Sequence, residues 1–246
     1  MKLFELFEES VLVLKTNKLR TFLSILGIVI GIASVITLMT LGAASQASVT
    51  ARIQALGSNL VIIRPGASQQ GFLRGGGGNV TTLTYADSKK IQESSRITTV
   101  KSVGSEYSGR AQVSYGRNNT NTQISGVGGD YFTIRNIELA SGTLLTESDS
   151  LLYSKLAILG SQTASELFED ANPIGENIRI NGASFKVVGV TKSKGGGGPF
   201  SSDDIVYVPL FTAQKVLFGV SHLSTIYVSA KSEEVTDAAA NQLGFL

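Results

Sequence analysis

The strongest pattern in the chain is an unbroken apolar run, Phe22–Leu41 (FLSILGIVIGIASVITLMTL), twenty residues without a charge. At 1.5 Å per residue, a helix of that length measures about 30 Å, the thickness of a bilayer's hydrocarbon core. Lipid offers no partners to backbone N–H and C=O groups, and a helix satisfies them internally. Two readings compete: a retained membrane anchor, or the core of a cleaved signal peptide with Ala43, Ala44 and Ser45 at the cut. A signal core runs about 7–15 residues behind a short basic lead. This run is longer and follows a patterned segment, so an anchor is expected. In that segment Leu3, Leu6, Phe7, Ser10, Val11 and Leu14 recur at helical spacing, while Glu5, Glu8 and Glu9 fall off the stripe. The spacing predicts an amphipathic helix lying on the membrane surface, with residues 1–20 ending in a turn inward and residues 21–41 crossing.

Beyond the span, Gly42–Leu56 continues the helix outward toward Gly57, a C-cap candidate. Asn59–Arg64 reads as a strand closed by Pro65-Gly66, and Gly75–Gly78 as a flexible linker. Thr84 with Asp87 three residues later predicts a capped helix to about Ser94. Thr98–Ser105 and Arg110–Tyr115 read as two strands, Gly116–Asn119 as a turn, Thr120–Val127 as a third strand, and Asp130–Ile134 as a short helix. Lys155–Leu159 reads as a strand, with Ser161 capping a helix to Phe168. Asn181-Gly182 between Asn177–Ile180 and Ser184–Val190 is the strongest hairpin signal in the chain. Past a second glycine loop, Gly195–Gly198, come a strand (Ile205–Val208), a helix (Thr212–Phe218), a strand (Thr225–Ala230) and a helix (Val235–Leu243). Strands and helices mix without regular βαβ units. The fold class is therefore α+β with mixed sheets, following one transmembrane helix.

Charge adds an orientation. Lys15, Lys18 and Arg20 crowd the N-terminal edge of the span, whereas the first cation after it is Arg52. Cationic flanks stay cytoplasmic, so the N-terminus is inside and residues 42–246 are exported. Within the span Gly27 and Gly31 form a GxxxG step at which a second helix could approach closely. Overall the 246-residue chain holds 21 Lys+Arg against 19 Asp+Glu, a balance that leaves no basic footprint for nucleic acid. There is no Cys, so disulfides and thiolate metal sites are excluded. The single His, His222, has no motif partner for a nucleophilic triad, and no phosphate loop leads either glycine run into a helix. The acid pairs Asp203-Asp204 and Glu233-Glu234 lack calcium-loop spacing and read as solvated turns. No catalytic, cofactor or metal residue is expected.

A series of phrases carries more information than any one motif. LGSNLVIIRPG (Leu56–Gly66), GVGGDYF (Gly126–Phe132), LASGTLL (Leu139–Leu145), LAILG (Leu156–Gly160), NPIGENIRI (Asn172–Ile180), FKVVGV (Phe185–Val190) and IVYVPL (Ile205–Leu210) follow the membrane helix in that order. In sequence and spacing they resemble the amino-terminal half of a MacB-like ABC transporter permease, a group with macrolide exporters, lipoprotein-release permeases and FtsX. The resemblance implies a bacterial inner-membrane protein whose extracytoplasmic domain has two lobes. One is a porter-like lobe at about 42–138 and 211–246, and the other an inserted lobe at about 139–210. It implies a separate ABC ATPase as partner, a homodimer or heterodimer of permeases, and movement of the external domain that expels or releases substrate. Members have four membrane helices, so a chain stopping at Leu246 is expected to be a truncated permease. The competing class is a singly anchored external binding or scaffold module that works without an ATPase.

Overall fold

A computed structural model describes residues 17–56, 59–66, 82–94, 97–195 and 203–243. The surface helix expected in residues 1–14, the Gly57 cap, the Gly75–Gly78 linker and residues 196–198 of the second glycine loop lie outside the described residues. The chain divides into two compact units, Met1–Ala55 and Leu56–Leu246.

The first unit contains α1, Lys18–Leu56, a 39-residue helix. Its Lys18–Gln46 stretch, 29 residues, is long and apolar enough to cross a membrane and is unburied by the protein. Three hydroxyls in it turn back on their own helix. Ser34 bonds to the Ile30 carbonyl (2.7 Å), Thr37 to Ala33 (2.7 Å) and Thr40 to Ile36 (2.8 Å). None therefore presents an unsatisfied polar group to hydrocarbon.

The second unit is α+β. Among the described residues nine strands make one mixed sheet: β1 (Leu60–Ile63), β2 (Val100–Tyr115), β3 (Asn118–Gly129), β4 (Leu139–Gly142), β5 (Leu156–Leu159), β6 (Asn177–Ile180), β7 (Ala183–Thr191), β8 (Ile205–Pro209) and β9 (Thr225–Ala230). Their order is β1-β9-β2-β3-β8-β5-β7-β4. Pairing is antiparallel except for β3 with β8 and β5 with β7. Strand β6 pairs with β7 and also with the far end of β2, at Val113–Ile180 and Ser114–Arg179. The pairings β2-β3-β8-β5-β7-β6 thus close into a ring. Strands from residues 139–210 and from the flanking segments share this one sheet.

Helices cover it: α2 (Tyr85–Glu93), α3 (Tyr131–Ile134), α4 (Glu147–Leu151), α5 (Ser161–Phe168), α6 (Leu210–Thr212) running into a π-helical turn at Ala213–Phe218, and α7 (Thr236–Leu243). Along β7 burial alternates, with Phe185, Val187 and Thr191 in and Ser184 and Lys186 out, as a one-sided strand requires. Phe185, Ile178, Ile180, Val113, Ile124 and Val206 form the ring's core, onto which α5 lays Ala164, Leu167 and Phe168. A second cluster gathers Val127, Tyr131, Phe132, Tyr207 and Tyr227.

The hairpin at Asn181-Gly182 forms as its sequence predicts. Both residues take positive φ, 47° and 82°, which is what a two-residue turn of the favoured twist demands. Two expectations are corrected. The separate strands Thr98–Ser105 and Arg110–Tyr115 are one sixteen-residue strand, β2, because Glu106-Tyr107-Ser108-Gly109 continues the ladder to β3. Gly109 there serves close packing: a Cβ on it would meet the Phe218 ring at 2.6 Å. Ser161 does not cap α5. Gly160 holds that position, and the free amides of Gln162 (3.1 Å) and Thr163 (3.4 Å) donate to the Asp203 carbonyl instead. Strand β4 and helix α4 were not anticipated, although Thr146 and Asp149 repeat the capping box of Thr84 and Asp87.

Candidate functional site

Two regions carry functional geometry. On α1, Lys18 is the first helical residue and Arg20 stands in the first turn, both exposed; Lys15 lies outside the described residues. Gly27 and Gly31 are one turn apart, and, apart from chain neighbours and the helix's own backbone, no heavy atom of the described residues lies within 4 Å of a Cβ placed on either. The strip is open to a second helix. Arg20 and Gly27 sit about 10 Å apart along the helix axis.

The other region was not foreseen from sequence. Midway along β2, Glu106 is buried at 5 % exposure. A buried carboxylate costs several kcal/mol unless hydrogen bonds replace its water. Here hydroxyls do so. Ser125 Oγ and Tyr131 OH (3.0 Å) donate to Oε1, and Tyr227 OH (2.8 Å) donates to Oε2. Ser125 comes from β3, Tyr131 from the first turn of α3, and Tyr227 from β9, the strand beside β2. The rings pack edge to face, Tyr131 on Tyr227 at 5.5 Å and Phe132 on Tyr207 at 5.5 Å. Burial first, and the Glu106 charge second, push the phenols of Tyr131, Tyr207 and Tyr227 up, that of Tyr227 to about 12. At neutral pH all three keep their protons.

Arg135, just past α3, sets its guanidinium 5.0 Å from the centre of the Tyr227 ring. Burial works to lower its pKa, but the fields of Tyr131, Tyr227 and Glu106 outweigh that and hold it above its ordinary value. Lys194 Nζ donates to the Arg135 carbonyl at 2.7 Å. Burial and then the Arg135 charge draw its pKa down. These groups line a pocket of about 160 Å³ with Glu106 among its walls. With its oxygens taken by hydroxyl donors, Glu106 braces the site and is not set up as a base.

The acid pair expected to be a solvated turn is partly interior. Asp203, 6 % exposed, accepts from Ser193 Oγ (2.6 Å) and the Lys194 amide (3.0 Å), and Asp204 accepts from Thr163 Oγ1 (3.3 Å). Glu233 and Glu234 are exposed. His222 is half-buried, with its ring edge-on to Tyr107 at 5.5 Å. Among the described residues no His, Asp and Glu group could hold a metal ion. Sequence reasoning missed Glu106 because its donors lie 19, 25 and 121 residues away. The available signal was indirect: Tyr131 and Tyr207 sit inside two of the quoted family phrases.

Residues 21–244 match the MacB-like periplasmic core domain family. The macrolide export ATP-binding/permease protein MacB of Chlorobaculum tepidum is 38 % identical over 219 residues, 89 % of this chain and 33 % of that protein. The protein of the same name from Bdellovibrio bacteriovorus is 35 % identical over 226 residues, 92 % of this chain and 34 % of that protein. The chain thus spans about a third of the length of these relatives. In fold it is similar to the periplasmic region of MacB from Actinobacillus actinomycetemcomitans, with TM-score 0.65 and 23 % identity over 78 % of this chain and 83 % of that one. It is likewise similar to the extracellular domain of the ABC-type transporter YknZ, with TM-score 0.61 and 19 % identity over 75 % and 90 %. A membrane-length helix and a mixed-sheet domain, matched together along nearly the whole chain, make it a member of the MacB-like periplasmic core domain family of ABC transporter permeases.

Proposed function

We propose that the chain is the first membrane helix and extracytoplasmic domain of an ABC permease that couples ATP hydrolysis by a separate ABC ATPase subunit to efflux or release of a substrate. What carries this is the match over residues 21–244, which takes in helix and domain as one unit. The N-terminus is cytoplasmic, held there by Lys15, Lys18 and Arg20, and the domain faces outward from the bacterial inner membrane. Two permeases pair in the membrane through the Gly27/Gly31 strip. The external domain is organised as a porter-like lobe, 42–138 and 211–246, with 139–210 inserted, and further membrane spans complete the permease.

In this mechanism ATP-driven closure of the ATPase moves the inner end of α1. The helix is stiff along its axis because each turn is hydrogen-bonded to the next, so Gly42–Leu56 passes the displacement outward. Substrate is then expelled outside the membrane without crossing the lipid along this chain. The Chlorobaculum relative is named for macrolide export, and macrolides are the first substrates to try.

These 246 residues hold no Cys, so a thiol introduced among them is the only one they carry. Ser184→Cys places a thiol at an exposed position on β7. A membrane-impermeant maleimide should label it in intact spheroplasts. In proteoliposomes holding the full-length gene product and its ATPase, the labelling rate should change on adding ATP. Labelling only after lysis would overturn the orientation. An ATP-independent rate, together with unchanged macrolide tolerance of the host, would overturn the coupling.

A further inference from the structure

The pocket beside Glu106 brings two cations, Arg135 and Lys194, into one wall. The Glu106 carboxylate is occupied by Ser125, Tyr131 and Tyr227. Lys192, at the rim, is neutralised by Glu138 at 2.7 Å. Arg135 and Lys194 form no ion pair among the described residues. The Arg135 Nε–H is buried without an acceptor among the described residues. A buried donor left unmade costs about 1–3 kcal/mol, so natural structures keep few of them without reason. The two cations are also close enough for Arg135 to weigh on the protonation of Lys194.

We propose that this pocket is a binding site for a small oxyanion, a carboxylate or a phosphate group, seated between Arg135 and Lys194. The side edge of a guanidinium offers parallel N–H donors that match two oxygens of either group, and a lysine adds a movable point charge. Tyr227 covers one face of the guanidinium, leaving recognition to its edge. Ile137 and Ile205 supply an apolar wall, and Gln123 and Thr191 supply further polar groups. A volume of about 160 Å³ admits the anionic head of a ligand, not a macrolide-sized body. The site is independent of the transport reading, since it rests on charge and shape within the external domain alone.

The full chain, purified in detergent micelles, would be melted with inorganic phosphate, acetate or a short-chain phosphatidate. Sodium chloride at matched ionic strength is the control. A saturable rise in Tm with phosphate or acetate beyond the chloride control is the expected result and assigns the site to a free solute. A rise with phosphatidate alone assigns it to a lipid headgroup. Arg135→Gln should abolish the saturable rise, and Lys194→Met should weaken apparent affinity at least tenfold. Lys194 lies at the exposed mouth, so its variant keeps the test decisive if Arg135→Gln fails to fold. Equal shifts in oxyanions and chloride, or a wild-type response from Lys194→Met, would overturn the site.

Discussion

At the scale of single residues, the domain is organised around a charge it took in deliberately. Glu106 is tolerated inside the fold because protonated phenols reach it from α3 and β9, so the arrangement depends on those phenols keeping their protons. A folded-state phenol pKa above the ordinary 10 means that, between 10 and the folded value, the unfolded chain has lost a proton that the native chain still holds. Stability therefore falls as pH rises through that window. For Tyr227 the window runs from 10 to about 12. Ultraviolet difference titration should show three tyrosines ionising late, together with loss of tertiary signal, and Tyr227→Phe should remove one of them. Tyrosines that all titrate near 10 in the folded state would mean the cluster is open to water. The sequence held only an indirect trace of this, in the phrases that contain Tyr131 and Tyr207. Glu106-Tyr107-Ser108-Gly109 reads locally as a break, and only distant partners make the glutamate an interior residue.

Elements were legible where their signals are local. Thr84 and Asp87 announced α2, and the structure shows both arms of the box, Thr84 N to Asp87 Oδ2 at 2.9 Å and Asp87 N to Thr84 Oγ1 at 3.4 Å. Helix α4 has the same box at Thr146 and Asp149 but only five residues, too short to show a periodic apolar face in sequence. The two helices are tied together by Glu147, which takes Lys89 at 2.8 Å and the Tyr85 hydroxyl at 3.0 Å. Thr84→Ala should cost about 1 kcal/mol, a fall in Tm of about 2–4 °C. The Thr84 hydroxyl first, and its amide second, hold the Asp87 carboxyl below its ordinary 3.8. The cap is thus intact above pH 3.8 and is lost as pH drops through the lower folded value, so the variant's deficit should shrink below pH 3.8. A deficit constant from pH 7 down to pH 2 would refute the charge-assisted cap. On α1, Gly27→Leu or Gly31→Leu should lower cross-linked dimer yield in membranes while leaving the external domain's melting unchanged. An unchanged yield would make the strip incidental.

For the molecule as a whole, the order of parts could be read early, whereas the closure of the sheet could not. Hydrophobic alternation locates strands, but nothing local says that β6 must also reach the far end of β2. The basic edge of α1 permits a test at this scale. Each cation near an anionic leaflet is worth about 1 kcal/mol, so changing Lys15, Lys18 and Arg20 together to Gln removes about 3 kcal/mol of anchoring. In anionic liposomes with the full-length product, ATP hydrolysis should persist while release falls, because the helix can slip against its drive. A parallel fall in both rates would place these residues on the ATPase, and no change would leave them a role in insertion only.

Strand β2 has a mechanical consequence. Its sixteen residues extend about 53 Å, with β9 bonded along the first half and β6 at the last turn of the ladder. Neighbouring strands can shear by breaking hydrogen bonds, but within one strand the load runs through covalent bonds that do not slip. A load applied to β2 beside β9 would therefore be carried along one covalent backbone to the end that β6 meets. Along this line the stiffness of the domain is set by one strand's backbone and not by the hydrogen bonds between strands.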